Sequence, residues 1–376
     1  MTIQEIYDTY HNYFTDNYVF NSYQNEWIII FEKVNNIAYM DNENNAIVKN
    51  NKYAKFRANM LTPVVIFNKF SHTDTSEYIT ISKNNICIIG QTMYSNCFDT
   101  TNKINSYGIY YYKSLEVAYY KDLENIENYT GKIIKWFDDG FKKCEYWLLN
   151  KLIHYEYIIY QNDTIKSKCG YENNKKSGLY IEYYPNGQIK ESGRYYDDKR
   201  YGEWIYYYEN DIEMSRGFYI ENKRDGKWTY LYDDGSLWSI GTYKSGKKYG
   251  RWIEHYPNQY IKLIRHFISD IALGESTEFY ENGNAMCKGM INQNGKTGKW
   301  IFCHENGIVE AEGEYLNDKE HGDWIYYYEN GNKNLEGIFI NGEMKGTWAK
   351  YSEDENIKET YSFINNDVVN KWIYFT

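Results

Sequence analysis

Glycine recurs at Gly178, Gly202, Gly226, Gly250, Gly274, Gly298, Gly322 and Gly346, each 24 residues after the last. Two positions further along the same frame stand Trp204, Trp228, Trp252, Trp300, Trp324, Trp348 and Trp372, with Tyr180 and Ser276 as exceptions. Six after the glycine come Tyr184, Tyr208, Tyr232, Tyr256, Tyr280 and Tyr328, replaced by His304 and Ser352, and an Asn or Asp follows, from Asn186 to Asp354. A second glycine sits at Gly187, Gly235, Gly283, Gly307 and Gly331, and a third at Gly193, Gly217, Gly241, Gly289, Gly313 and Gly337. A fixed period of this length marks a repeat architecture, in which each unit buries its apolar surface only against its neighbours.

The unit reads as a β-hairpin. Trp204-Ile205-Tyr206-Tyr207-Tyr208 is strand-forming by its aromatic and β-branched content. Glu209-Asn210-Asp211 and Glu329-Asn330-Gly331 are turn chemistry, because Asn and Gly tolerate positive φ. Gly217-Phe218-Tyr219-Ile220 is the second strand, and a charged loop such as Lys223-Arg224-Asp225-Gly226 returns the chain. Alternation places Trp204, Tyr206 and Tyr208 on one face and Ile205 and Tyr207 on the other. The third glycine leaves room for a flat ring of an adjacent strand.

The array extends upstream through Gly131 to Gly140, with an earlier unit opening at Gly108-Ile109-Tyr110-Tyr111-Tyr112 and a degenerate one at His154 to Ser177 that keeps Tyr160, Asn162 and Tyr171 in register. Trp372-Ile373-Tyr374 is a closing strand. At about 4.8 Å per strand, some eleven units would extend about 100 Å. The first hundred residues break the period. Thr2-Ile3-Gln4-Glu5 fits a capping box before helically spaced Ile3, Ile6, Tyr10, Tyr13 and Phe14. Trp27 to Phe31, Val64 to Phe67 and Tyr78 to Ile81 read as strands, separated by Asn-rich linkers such as Asp41-Asn42-Glu43-Asn44-Asn45. The expected fold is all-β: an elongated, open, single-layer solenoid of hairpins over residues 178–376, with degenerate repeats at 106–177 and a small α+β cap at 1–105.

Lys and Arg total 42 against 52 Asp and Glu, a formal net charge of -10, which argues against general affinity for nucleic acid or anionic lipid. The longest clean apolar run, Trp27 to Phe31, is far short of a transmembrane helix, and the first residues lack a secretory pattern. The six cysteines fall in no paired spacing and read as reduced thiols of a cytoplasmic protein. There is no phosphate-binding glycine loop, zinc-protease motif or nucleophile elbow, so we expect neither catalysis nor a cofactor or metal. His304 takes the repeat's Tyr place as a stacked ring, and His255, His266 and Arg265 fall close enough in one repeat to raise a possible site.

The string from Gly322 to Gly331, G-D-W-I-Y-Y-Y-E-N-G, resembles the MORN-repeat variant common in bacterial proteins, strongly over Gly178 to Tyr374 and weakly over Gly108 to Ser177. The resemblance implies an elongated sheet of hairpins. It also implies a protein-binding function, as an antitoxin or immunity protein against a toxin or, alternatively, as a scaffold or accessory subunit of a larger assembly, which the Asn/Tyr/Ile-rich composition of an AT-rich genome would make viral or phage-defence. Charge sorts by hairpin end. Glu209, Asp233, Asp234, Glu281, Glu305, Glu329, Glu353 and Asp354 mark the turn end, and Lys199, Arg200, Lys223, Arg224, Lys247, Lys248, Lys296, Lys319 and Lys345 the loop end. An acidic rim suits a basic toxin or nuclease. We therefore expect Ile205, Tyr207, Ile325 and Tyr327 to line a partner-binding face, with Glu209, Glu281, Glu305 and Glu329 at its margin. The repeat from Gly250 to Leu273, with Gln259 and Arg265 at glycine places, and Ser276 after it, should disturb regular stacking.

Overall fold

The computed structural model describes residues 2–34, 47–82, 85–99, 103–354, 356–364 and 366–373. The linker expected at Asp41 to Asn45, and Tyr374 of the closing strand, lie outside the described residues. The chain forms two compact units, Met1–Ile189 with Tyr195–Asp198, and Lys190–Arg194 with Lys199–Thr376.

The first unit opens with helix Ile3–Thr9, whose capping box is complete: the Glu5 amide donates to Thr2 Oγ1 and the Thr2 amide to Glu5 Oε2. Beside it an antiparallel sheet runs in the order Lys55–Ala58, Ile109–Tyr112, Tyr18–Tyr23, Trp27–Glu32, Met60–Asn68, Ser71–Thr75. Alternation splits its side chains between two cores. Phe20, Ile28, Ile30 and Phe67 pack with Ile6 and helix Leu115–Tyr120, while Val19, Ile29, Phe31, Phe56 and Tyr111 fill the other side. Ile109–Tyr112 therefore does not open the repeat array. Tyr111 stacks on Phe56 with centroids 5.5 Å apart, and the strand pairs with Lys55–Ala58 and Tyr18–Tyr23. Lys69 is fully enclosed, its Nζ donating to the Lys121 carbonyl at 2.9 Å, and burial lowers its pKa to about 7.

Repeat pairing begins at Gly131–Trp136, and from there every strand pairs with the next in sequence. Within the first unit the central row reads Ile133, Tyr146, Tyr157, Cys169, Tyr180 across successive strands. Tyr146 and Tyr157 stack with centroids 4.8 Å apart. In the second unit the same row alternates between indole and bare backbone: Trp204 faces Gly217, which faces Trp228, which faces Gly241. A Cβ at Gly217, Gly289, Gly313 or Gly337 would lie 2.1 to 2.3 Å from Cδ2 of the following indole, so the third glycine is there for the ring.

The turns differ from the expectation in one respect. Tyr208 to Asp211 is a turn as expected, with Asp211 at φ 67 and its amide donating to the Tyr208 carbonyl. At the other end Lys223 to Gly226 are not a loop; they lie inside strand Lys223–Leu231. The chain reverses in two residues, Glu221 and Asn222, both left-handed at φ 49 and 66, the geometry that matches strand twist. Gly226, at φ 71, is instead a bulge glycine: Phe218 pairs with Asp225 while Gly217 pairs with Trp228.

Candidate partner-binding face

The bulge decides which side chains reach which face. It turns Arg200, Arg224, Lys248 and Lys296 away from the rim and lays them over the indole four residues on, with cation-to-ring distances of 4.1, 4.7, 4.3 and 4.7 Å. The expected basic rim is thus thinned, because four of its nine cations serve as lids; Lys199, Lys223, Lys247 and Lys319 stay exposed there, Lys199 paired with Glu221 at 3.2 Å. The six indoles of the row, Trp204, Trp228, Trp252, Trp300, Trp324 and Trp348, are 0 to 3% exposed, the first four beneath these lids, while Trp238, outside the row, is 44% exposed. Indole Nε1 atoms of Trp204, Trp228, Trp252, Trp300 and Trp324 donate to backbone carbonyls opposite. Tyr206 and Tyr219 share a hydroxyl contact of 3.0 Å under Arg200. This first face consumes its aromatic surface in holding the sheet together.

The rims are stapled as well. On the turn rim, hydroxyls of Tyr208, Tyr232, Tyr256, Tyr280 and Tyr328 donate to a carbonyl 23 residues on, and His304 makes the same reach to the Tyr327 carbonyl through Nε2. Asn210, Asn258, Asn282 and Asn306 amides donate to the carbonyls of Asp233, Glu281, Glu305 and Glu329. These stapling roles were missed in the sequence, although the strict 24-residue recurrence of Tyr and Asn signals them. The carboxylates of Glu209, Glu281, Glu305 and Glu329 stand exposed at this rim, one per repeat.

The second face carries Ile205, Tyr207, Ile325 and Tyr327, all half-buried. Its central row runs Ile205, Arg216, Thr229, Ile240, Ile253, Ile264, Thr277, Lys288, Ile301, Glu312, Ile325, Glu336 over consecutive strands. Ile205 and Ile325 are therefore ten strands apart, about 48 Å, and form two patches on one face. Around the first, Arg216 reaches Glu213 and Glu203, and Phe218 is 52% exposed. Around the second, Tyr327 donates to Glu312 at 2.9 Å, while Lys299, 2.7 Å away, holds the Glu312 carboxyl below its usual range. Burial and that carboxylate raise the Tyr327 hydroxyl to about 12, so it stays a neutral donor at physiological pH. Trp372, expected in the Trp row, lies on the second face instead, 48% exposed. Tyr361 occupies the preceding glycine place, and the last strand pairs Trp372 with Thr360 in place of Tyr361.

The possible histidine site is not assembled. His266 pairs with Arg251, four residues along the strand from His255, and Arg265 is engaged on the first face with Ser276 and Glu278. Burial pushes the Cys87 thiol up to about 12. Among the described residues no group of three or more His, Cys, Asp or Glu is placed to hold a metal ion, and no helix is long and apolar enough to cross a membrane.

With this geometry in hand, the family described as MORN repeat variant matches the chain at residues 176–198, 224–245 and 320–341, which supports a MORN-repeat protein. Each match contains a positive-φ strand glycine, Gly178, Gly226 or Gly322, and the turn that follows its strand, Tyr184 to Gly187, Tyr232 to Gly235 or Tyr328 to Gly331. No curated protein matches the sequence. Among solved structures, a porin-like protein from Bacteroides uniformis aligns at 8% identity and TM-score 0.14, over 54% of this chain and 85% of that one. TcdB2-TccC3 aligns at 9% identity and TM-score 0.16, over 97% of this chain but 22% of that one. At such scores neither carries an argument about fold or role.

Proposed function

We propose that this chain is a non-catalytic, cytoplasmic protein-binding repeat protein, acting as an antitoxin or immunity protein that occludes a toxin through its second face. The observation that carries the reading is the asymmetry of the ribbon. In the Lys199–Thr376 unit the hairpins spend their Trp side on their neighbours, the Ser276 place excepted, and leave the opposite face, with its Tyr, Phe and Ile, without a covering layer among the unit's described residues. Tyrosine suits recognition, offering large area, few rotors and a hydroxyl that tolerates water. The acidic turn rim beside it favours a basic partner and faster encounter with it. We take residues 1–105 with strand Ile109–Tyr112 and helix Leu115–Tyr120 as a cap, the strands from Gly131 to residue 177 as degenerate repeats and 178–376 as the regular, partner-facing array.

The test is a pull-down from the native host with mass spectrometry, repeated with Tyr207→Ser plus Tyr327→Ser after circular dichroism has shown retained folding. A captured toxin lost from the variant supports the reading. Unchanged capture by the folded variant moves the interface to a rim or to the N-terminal unit. Co-purification in fixed stoichiometry with several non-toxin subunits would favour the alternative role, a scaffold of a larger assembly.

A further inference from the structure

The second face of the Lys199–Thr376 unit is not uniform in charge. With both faces and rims counted, residues 222–264 hold eight Lys or Arg against four Asp or Glu, Arg224 and Lys248 being first-face lids, whereas residues 265–376 hold ten against nineteen. Among the described residues no ion pair involves any residue from 222 to 264, although the unit pairs its charges on either side of that stretch, as at Arg216 with Glu213 and Lys299 with Glu312. Lys227 and Arg251, on the second face opposite Thr242 and His266, are exposed and outside any ion pair. So are Glu275 and Asp323, which precede Ser276 and Trp324 as Lys227 and Arg251 precede Trp228 and Trp252, and Glu314, whose cross-strand partner is Lys299. Beside these charges runs the central row, apolar at Ile240, Ile253 and Ile264 on three adjacent strands and again at Ile301 and Ile325, with Thr277 and Lys288 at its middle and Glu312 between the last two. Basic and acidic stretches thus flank two apolar segments of one face.

We propose that this face binds a second copy of the chain, with the order of repeats reversed. A two-fold axis along the strand direction, between Ile271–Phe279 and Ala285–Asn292, keeps each row over itself and reverses the strands. It brings Arg251 over Glu314 of the other copy, Ile240 over Ile325 and Ile264 over Ile301. Each contact then occurs twice, as a two-fold interface requires. The strands from Leu237 to Tyr327 number eight, about 38 Å across. With about 25 Å of strand length they offer roughly 900 Å² per copy, enough for a stable dimer. A second copy is favoured over an unrelated acidic protein because both complementary halves lie on this one face. The covered strands include Ile325 and Tyr327 but leave Ile205 and Tyr207 free, so the dimer would compete with a toxin for the second patch and not for the first.

The test is sedimentation equilibrium of the full chain at low and high salt, with Arg251→Glu, Glu314→Arg and the double variant. We expect a dimer at low salt that weakens as salt rises, a dissociation constant raised at least about tenfold by each single change, and recovery to within about threefold in the double. Circular dichroism confirms folding of each variant. A wild-type chain that stays monomeric at about 100 µM overturns the proposal. So does a dimer that both single variants leave untouched, or a folded double variant that fails to recover. An acidic peptide binding the monomer, with no self-association, would also overturn it and assign the basic stretch to another protein.

Discussion

At Trp324 the indole lies on the bare Cα of Gly313 and donates to the Glu314 carbonyl at 3.1 Å. Two repeats earlier the same two places hold Ser276 and Arg265, and the guanidinium fills the gap, with Nε 3.2 Å from Ser276 Oγ and Nη2 2.8 Å from Glu278. Trp324 and Ser276 are equally buried, at 2%. Loss of the ring at one place frees the glycine at the other to become large. What the repeat holds constant is the filled volume of a cross-strand pair, and the identity of either residue follows from its partner. The feature that reads as decay in the sequence is a repacked layer in the structure.

The largest expected effect breaks the regular side of this comparison. Trp324→Ala should cost about 3–5 kcal/mol in urea unfolding, because it empties a layer that no neighbour can refill. Gly313→Arg alone should cost up to about 3 kcal/mol, since its Cβ would meet the ring at 2.3 Å. Moving the whole alternative solution, as Gly313→Arg with Trp324→Ser and Tyr326→Glu, should recover at least about 1.5 kcal/mol of that loss. A triple variant no more stable than Gly313→Arg would show that the two places are not coupled.

The comparison extends to how each unit holds a cation. The guanidinium of Arg200 lies 4.1 Å over the Trp204 ring while still half-exposed, whereas Lys69 is shut inside the first unit. Because the folded pKa of Lys69, about 7, is below its unfolded value, the unfolded chain takes up a proton first as pH falls. The first unit should therefore lose stability between about pH 10 and 7, by at most about 1.4 kcal/mol per pH unit, and change little from this source below that. Lys69→Met should flatten the slope; an unaltered slope would place its origin elsewhere. The smallest effect concerns one staple. Tyr328→Phe removes a single hydroxyl-to-carbonyl bond of 2.8 Å and should cost about 1 kcal/mol, read as faster amide exchange confined to adjacent repeats.

The period, the hairpin, the inner Trp row and the reason for the third glycine were all readable in the sequence, because each is a local rule repeated often enough to stand clear. What escaped reading depended on where a bulge falls. Gly226 has the composition of a loop glycine, and only its left-handed φ inside a strand turns Arg224 from rim to lid. Trp372 keeps its spacing yet lies on the other face, because Tyr361 denies it a glycine to rest on. Ile205 and Tyr207 share a face with Ile325 and Tyr327 as alternation requires, but alternation says nothing of the ten strands between them. The stapling Tyr and Asn side chains were visible as recurrent residues, and the carbonyls they reach belong to the next repeat, a relation that pairing alone supplies.

The central claim is that one face is spent on the fold and the other is open. Hydroxyl-radical footprinting of the full chain, read residue by residue, tests it most directly. At concentrations where the chain is monomeric, the account predicts strong labelling of Phe218, Tyr249 and Trp372 and protection of Trp204, Trp228, Trp252, Trp300, Trp324 and Trp348 in the folded protein. Labelling of the Trp row at rates matching Phe218 and Tyr249 would contradict it.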